Sequence, residues 1–341
     1  MKLVAQDIGR ENAAEWDRFA AAQPRHNTFQ SARLLLALQD NRVYRPFGRL
    51  FRDSKSGTVV AGYVFHVIAE VSGPAAFLAT RAIVNGGPLA TPEAAECYDE
   101  IIEDLRRHPG LRGIYVEVWH AEDRPALNTA LEKAGFAFSE HLNYHLDLRQ
   151  PTETLWGAIS KRRRQYIRNN QQRLVIREVA SEEDFGAFFG QLQGTYSRVN
   201  VPLVSPEVFK TCWRAGAGWF LLIEHESQVI ASRVVLPFGK TIYDWYAGSD
   251  PSFANLHANE SLVWQVLERG QQEGYHWFDF GGAGKPGRPY GPREFKSKFG
   301  GQLVNYGRHR LVLSKPRAAV LKAVLAVRER WFDRSTRRND G

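Results

Sequence analysis

Tyr275-His276-Trp277-Phe278-Asp279-Phe280-Gly281-Gly282-Ala283-Gly284-Lys285-Pro286-Gly287-Arg288-Pro289-Tyr290-Gly291-Pro292-Arg293-Glu294-Phe295-Lys296-Ser297-Lys298-Phe299-Gly300-Gly301 is the stretch that says most about this chain. A short aromatic strand runs directly into glycines and prolines, and the cations Lys285, Arg288, Arg293 and Lys296 follow. Glycine lets backbone N–H groups approach a ligand closely, and successive N–H groups in a turn form an anion-binding nest. Cations on such a loop suit a phosphate or a carboxylate. The segment reads as a binding and catalytic loop for an anionic substrate. The plainer reading is a surface turn with solvated charges.

Around this loop, hydrophobic periodicity divides the chain into two similar halves. In the first, residues 11–22, 30–40, 92–107 and 124–134 read as helices. Thr91 is the expected N-cap of the third, with Pro92 at its first position. Residues 47–52, 59–68, 75–79, 83–85, 113–119 and 141–148 read as strands, with a hairpin turn at 53–57. In the second half, residues 154–173, 182–199, 206–215 and 259–273 read as helices. Residues 174–179, 219–224, 229–238, 241–247, 277–280 and 303–312 read as strands, and 317–332 as a basic amphipathic helix. Each half runs from helices through antiparallel strands to a helix stopped by glycine, with an aromatic nearby: Gly135-Phe136 in one, Gly274-Tyr275 in the other. Such an echo predicts a duplicated fold. The expected division is 1–150, 151–314 and a basic tail, 315–341.

A length of 341 residues suits two domains. The apolar share of 43% and charged share of 24% are those of a soluble globular protein. A net charge of +8 favours polyanionic partners such as RNA, nucleotide phosphates or an anionic membrane face. Cys97 and Cys212 match no metal spacing and fit reduced thiols in a cytoplasm. The first residues lack the apolar core of a signal peptide, and no apolar run approaches the roughly 20 residues that span a bilayer. The expectation is a cytoplasmic protein that meets any lipid-linked substrate from the inner membrane surface.

Phe-Asp-Phe-Gly-Gly at 278–282, followed by Phe-Lys-x-x-Phe-Gly at 295–300, resembles the closing motif of the FemABX family. Further matches occur in order along the chain. They are Glu15-Trp16 with Thr28-Phe29-Gln30-Ser31, the strand at 143–148, the basic helix at 155–168, Thr195-Tyr196-Ser197-Arg198, and Tyr243 through Ser249. The combination is specific, whereas no single piece is. The resemblance implies an α+β protein of two tandem GNAT-like domains, each a mixed, mainly antiparallel sheet flanked by helices. It also implies an aminoacyltransferase that takes an amino acid from aminoacyl-tRNA to an amine of a peptidoglycan or other cell-envelope precursor, without a resident cofactor. It places Lys296 at the reaction centre with Phe295 packed beside it, and Arg198 and Tyr246 along the acceptor cavity. Thr195, Tyr243, Gly281, Gly282, Lys285 and Arg293 complete the expected substrate site. One departure stands out: leucine occupies the place of a phosphate-contacting lysine in the 32–38 helix, with Arg33 the nearest cation. The family's coiled-coil arm is absent.

Aminoacyl transfer from an ester needs its reactants held in line and a developing oxyanion stabilised. Lys296 or the backbone N–H groups of 281–284 are the candidates for the oxyanion. Glu117 and Asp279 are the candidate general bases. Asp279 lies between aromatic residues, so burial is expected to raise its pKa; the plainer role is a structural carboxylate accepting bonds from the glycine loop. Arg162, Arg163, Arg164 and Arg168 form the strongest basic patch, either a track for tRNA phosphates or a solvated face. Two alternatives remain open: a coenzyme A-dependent N-acyltransferase using acetyl- or acyl-CoA, and a non-catalytic RNA- or polymer-binding module. The coenzyme A signature Arg/Gln-x-x-Gly-x-Gly/Ala has no clean copy in the sequence.

Overall fold

The computed structural model describes residues 1–69 and 80–320. The strand expected at 75–79 and most of the basic helix expected at 317–332 lie outside the described residues. The first half contains β1 (Leu3–Asp7), α1 (Ala13–Ala22), α2 (Ala32–Leu38), β2 (Tyr44–Asp53), β3 (Val59–Ala69), β4 (Thr80–Asn85), β5 (Leu89–Ala90), α3 (Tyr98–Arg107), β6 (Tyr115–Trp119), α4 (Pro125–Lys133) and β7 (Ala137–Ser139). The second contains β8 (Asn143–Asp147), α5 (Thr152–Ala158), α6 (Lys161–Asn170), β9 (Val175–Glu178), α7 (Glu182–Arg198), α8 (Pro206–Arg214), β10 (Trp219–His225), β11 (Gln228–Phe238), β12 (Thr241–Ser249), α9 (Ala258–Gln272), β13 (Trp277–Gly282), α10 (Gly291–Lys296), β14 (Gln302–Val304) and β15 (Arg308–Val312).

Two sheets result. The first has the order β1-β2-β3-β4-β6-β15-β7, with β5 added on β3; the second has the order β9-β10-β11-β12-β13-β8-β14. The orders superpose strand for strand, and each sheet has a parallel pair at the same place, β4 with β6 and β12 with β13. The duplication expected from the sequence is therefore present in the hydrogen bonding.

The two sheets also exchange a strand reciprocally. β8, which follows the first half, inserts between β13 and β14. β15, which follows the second, inserts between β6 and β7. A division at residue 150 leaves 143–147 with the first half, whereas hydrogen bonding gives that strand to the second sheet. The strand expected at 303–312 is two strands in two sheets, separated at Gly307, whose φ of 69° suits a residue without Cβ. The helix expected at 154–173 is likewise broken. Ile159 turns extended and is 1% exposed, because the chain leaves the helix to bury that side chain. α10 forms where a loop was expected, with Pro292 in its first turn.

Helices cover both faces of both sheets. In the second sheet, α5 and α9 bury Leu155, Leu262, Val263 and Val266 against one face. On the other, α7 and α8 share a core with Phe29, Leu34, Leu38 and Tyr44 from the first half. The halves are thus joined by a common core as well as by the exchanged strands. Local capping places the first-half residues there. Asn27 and Gln30 form a capping box, Ser31 Oγ caps α2 through Leu34 N–H, and Gln30 Nε2 donates to Gly87 O at 3.0 Å. Phe29 then reaches Tyr243, with ring centroids 5.2 Å apart.

Candidate active site

β12 and β13 pair only from Thr241–Trp277 to Tyr243–Asp279. On its other edge β13 pairs with β8 from Trp277–Asp147 onward, and this pairing alone continues past Asp279, with Gly282 opposite Asn143 after a register shift. The two parallel strands part there, and the glycine loop begins in the gap. Gly281 has φ 70°, and a Cβ on it would lie 3.2 Å from Tyr243 Oη. A Cβ on Gly282 would lie 2.8 Å from His141 Nε2. Both glycines are required by close approach, and for Gly281 also by backbone conformation.

The loop presents carbonyls where the sequence suggested N–H groups. Lys296 Nζ, at the end of α10, donates to Gly282 O at 2.8 Å and lies 3.4 Å from Gly281 O. Gly281 N–H donates to Asp279 Oδ1 at 2.7 Å, and Ala283 N–H to Leu142 O at 2.7 Å. Two of the four N–H groups of residues 281–284 are therefore engaged within the protein. Lys296 is a cation at the gap. It is half-buried, and an ammonium has three donors, so one remains beyond its two carbonyl contacts. Burial lowers its pKa, while Asp244 and Asp279 act in the opposite direction. Phe295 packs against Phe299 at 5.0 Å.

Asp279 is 8% exposed. Desolvation pushes its pKa up. His145, the Gly281 N–H and Asn143 outweigh that, and the carboxyl stays below the usual range. This reverses the expected direction. Asn143 Nδ2 donates to Oδ1 at 2.9 Å, and His145 Nε2 lies 3.5 Å from Oδ2. Glu117 is held just as firmly: desolvation raises it, but Trp119 Nε1 at 3.0 Å and Arg310 Nη2 at 2.6 Å leave it lowered. Neither has the free, elevated carboxylate of a general base. The two occupy equivalent places. Each sits on the parallel-paired strand, and each meets a basic partner on the exchanged strand, His145 opposite Asp279 and Arg310 opposite Glu117.

Tyr243 and Tyr246 lie beside the gap on β12. Burial raises both hydroxyls, that of Tyr246 to about 12. Tyr246 packs against Tyr196 at 5.2 Å and Phe209 at 5.0 Å. Arg198 and Thr195 bind the end of β12: Arg198 Nη2 donates to Ser249 O at 2.6 Å, and Thr195 Oγ1 accepts from Ser249 N–H at 2.9 Å. Arg293 donates to Lys285 O at 2.9 Å and to Arg288 O, so it closes the loop on itself. Lys285 is exposed on that loop. Arg33, on α2, donates to Gly216 O, just after α8, at 3.4 Å.

Two residues at the gap gave no sequence signal. Arg308 Nη2 donates to His141 Nε2 at 2.8 Å, and its guanidinium lies 3.7 Å over Trp119. Burial lowers Arg308 to about 10 and, with Arg308 beside it, His141 to about 4. His141 precedes β8 and Arg308 opens β15, so only the strand exchange brings them to Gly282.

α6 carries the basic patch. Arg163 pairs with Glu260, which is 4% exposed, so it is a structural residue and not a free phosphate ligand. Arg162 donates to Tyr166 Oη. Arg168, exposed, lies 5.3 Å over Trp156, and Arg164 is half-buried.

Residues 159–297 match the family model described as an acetyltransferase (GNAT) domain. No curated protein matches the sequence. Among solved structures, FemX aligns with a TM-score of 0.72 at 12% identity, covering 93% of this chain and 99% of that one. A chain described as the C-terminal DUF2156 domain of a lysylphosphatidylglycerol synthetase from Agrobacterium fabrum aligns at 0.55 and 13% identity, covering 92% and 96%. A tandem GNAT protein from the clavulanic acid biosynthesis pathway aligns at 0.54 and 11% identity, covering 92% and 99%. At these identities the likeness is one of fold. With its two sheets of matching strand order, the chain has the fold of two tandem GNAT-like domains, similar to that of FemX.

Proposed function

We propose that this protein is an aminoacyltransferase that moves an amino acid from aminoacyl-tRNA onto an amine of a cell-envelope precursor. The observation that carries the reading is Lys296: a half-buried ammonium anchored by two loop carbonyls at the parting of β12 and β13. In the reaction, the acceptor nitrogen attacks the ester carbonyl carbon and a C–N bond forms. The tetrahedral oxyanion faces the remaining Lys296 donor. The bond from carbon to the ribose oxygen then breaks, and the proton lost by the amine ends on the ribose hydroxyl. Asp279 and Glu117 take no part as bases, so the proton passes through solvent. Holding the reactants in line and stabilising the oxyanion supply the rate.

The first turn of α9 weighs against a coenzyme A donor. A helix start that binds phosphate presents free N–H groups and no fixed negative charge. Here Glu260 sits in that turn, paired with Arg163, and Tyr166 stacks on His257 at 3.4 Å. The solved structure from Agrobacterium fabrum, described as a lysylphosphatidylglycerol synthetase, supports an envelope acceptor by analogy of fold only.

The test is transfer of a radiolabelled amino acid from charged tRNA to amine-bearing envelope precursors. Turnover with charged tRNA and none with acetyl-CoA is expected. The reverse pattern would overturn the reading.

A further inference from the structure

Where α5, α6 and α9 meet beside β9, the molecule has a cavity of about 470 Å³. Trp156 and Trp264 line it, with ring centroids 4.8 Å apart and planes at 63°. Arg168, Gln265 and Glu268 add polar groups to its lining. Ser261 also lines it; this residue is 7% exposed, and its Oγ has no hydrogen-bond partner among the described residues. A buried hydroxyl gains from a hydrogen bond, so Ser261 Oγ is a group that a ligand in the cavity can engage. The two rings meet edge to face, and Arg168 lies over Trp156, so a planar ring can stack on an aromatic face at the cavity, with Trp264 the ring that carries no cation. The polar lining offers a carboxylate acceptor, an amide that both donates and accepts, and a hydroxyl that does either. A nucleobase presents both donors and acceptors on one flat ring and can use this mixed lining, whereas a phosphate drawn to Arg168 would also meet Glu268.

The cavity and the Lys296 gap share one helix. α6 is tied at its start to the segment after α10, by Ser160 N–H donating to Lys298 O at 2.8 Å. Arg163 lies 5.5 Å over the Phe295 ring, and Arg168 lies 5.3 Å over Trp156. From Arg163, the structural residue beside Phe295, to Arg168 beside Trp156 the helix rises about 7.5 Å, roughly two stacked nucleotides. α6 carries no acidic residue, and Lys161, Arg162, Arg168 and the following Arg173 are exposed. A run of exposed cations fits a chain of phosphates better than a single small cofactor.

We infer that this cavity stacks a nucleobase from the unpaired 3′ end of the RNA whose last ribose carries the aminoacyl ester. This rests on the aminoacyl-tRNA reading above. The cavity holds a base within a step or two of the ester, α6 follows the phosphates, and Lys296 meets the carbonyl.

The experiment uses the full chain, an RNA hairpin with four unpaired 3′ nucleotides, the same hairpin with a blunt end, and coenzyme A. Affinity and tryptophan fluorescence are measured at low salt. The overhang is expected to bind about tenfold tighter than the blunt hairpin and to quench fluorescence, within the range that base–aromatic stacking gives. Trp264→Leu and Ser261→Leu are each expected to abolish that preference while leaving blunt-hairpin affinity and Tm unchanged, and Trp264→Phe to keep most of it. If Trp264→Leu fails to fold, Ser261→Leu, which fills the cavity from its lining, decides alone. Equal affinity for both hairpins in the wild type overturns the cavity's role but leaves the aminoacyl-tRNA reading standing. Binding of neither hairpin overturns both. Quenching by coenzyme A with none by RNA overturns the RNA assignment.

Discussion

At the scale of single residues, Lys296 and Asp279 separate chemistry from architecture. Lys296→Met keeps the length of the side chain and removes its charge. Turnover is expected to fall about 100- to 1,000-fold, the usual effect of losing one oxyanion donor, with Tm nearly unchanged; a large drop in Tm with turnover preserved would make the lysine structural. Asp279→Asn is expected to lower stability by about 2 kcal/mol at pH 7, because a buried carboxylate loses its charge opposite His145. Its folded pKa lies below the unfolded value, so the stabilisation is full above about pH 4 and is lost as pH falls through the folded value. The stability gap between wild type and variant should therefore close in acid, and a gap that persists there would exclude the charge as its cause. The sequence placed both residues in one motif, and it named the structural alternative for Asp279. It misjudged the direction of the pKa, because the three groups that lower it include Asn143 and His145, more than 130 residues away in the chain. His141 and Arg308 were illegible for the same reason.

At the scale of elements, α6 divides its arginines by what they touch. Changing Arg162, Arg164 and Arg168 together to Ser is expected to weaken tRNA binding and flatten its salt dependence, by about 0.7–0.9 in log–log slope for each phosphate the helix no longer neutralises. An unchanged slope, measured by filter binding from low to moderate salt, would dismiss the helix as an RNA track. Arg163→Ser should behave differently. It leaves the buried Glu260 with His257, 3.4 Å away, as its remaining basic neighbour and is expected to cost about 3 kcal/mol in denaturant unfolding; a variant as stable as the wild type would show that the pair contributes nothing. Helix and strand positions were mostly readable, since periodicity and capping residues such as Thr91 act locally. The breaks were less so. Ile159 ends a helix because the core requires it, and α10 forms within a run of glycine and proline whose local preference is for turns.

At the scale of the whole molecule, the repeat was legible but the exchange of β8 and β15 was not, because alternation of side chains does not reveal which sheet a strand joins. The exchange predicts that residues 1–150 expressed alone, lacking β15, will not fold, and that 151–341 alone, lacking β8, will not fold either. Co-expressed, the two pieces should assemble into one soluble complex with a single thermal transition. Soluble, separately melting pieces, seen by calorimetry, would refute this.

The exchange has a further consequence for how such a chain can change over generations. A duplicated gene ordinarily leaves two modules, and one can be replaced, lost or recombined while the other persists. Here each copy carries one strand of its sibling's sheet, and the strand from the first copy holds the glycine loop of the second through Leu142 and Asn143. Neither half is a transferable unit of inheritance, and a crossover that swaps in a foreign half brings the wrong neighbour for Gly282. Change is then easiest at surfaces such as α6 and the 283–290 loop, which can vary without disturbing the shared strands.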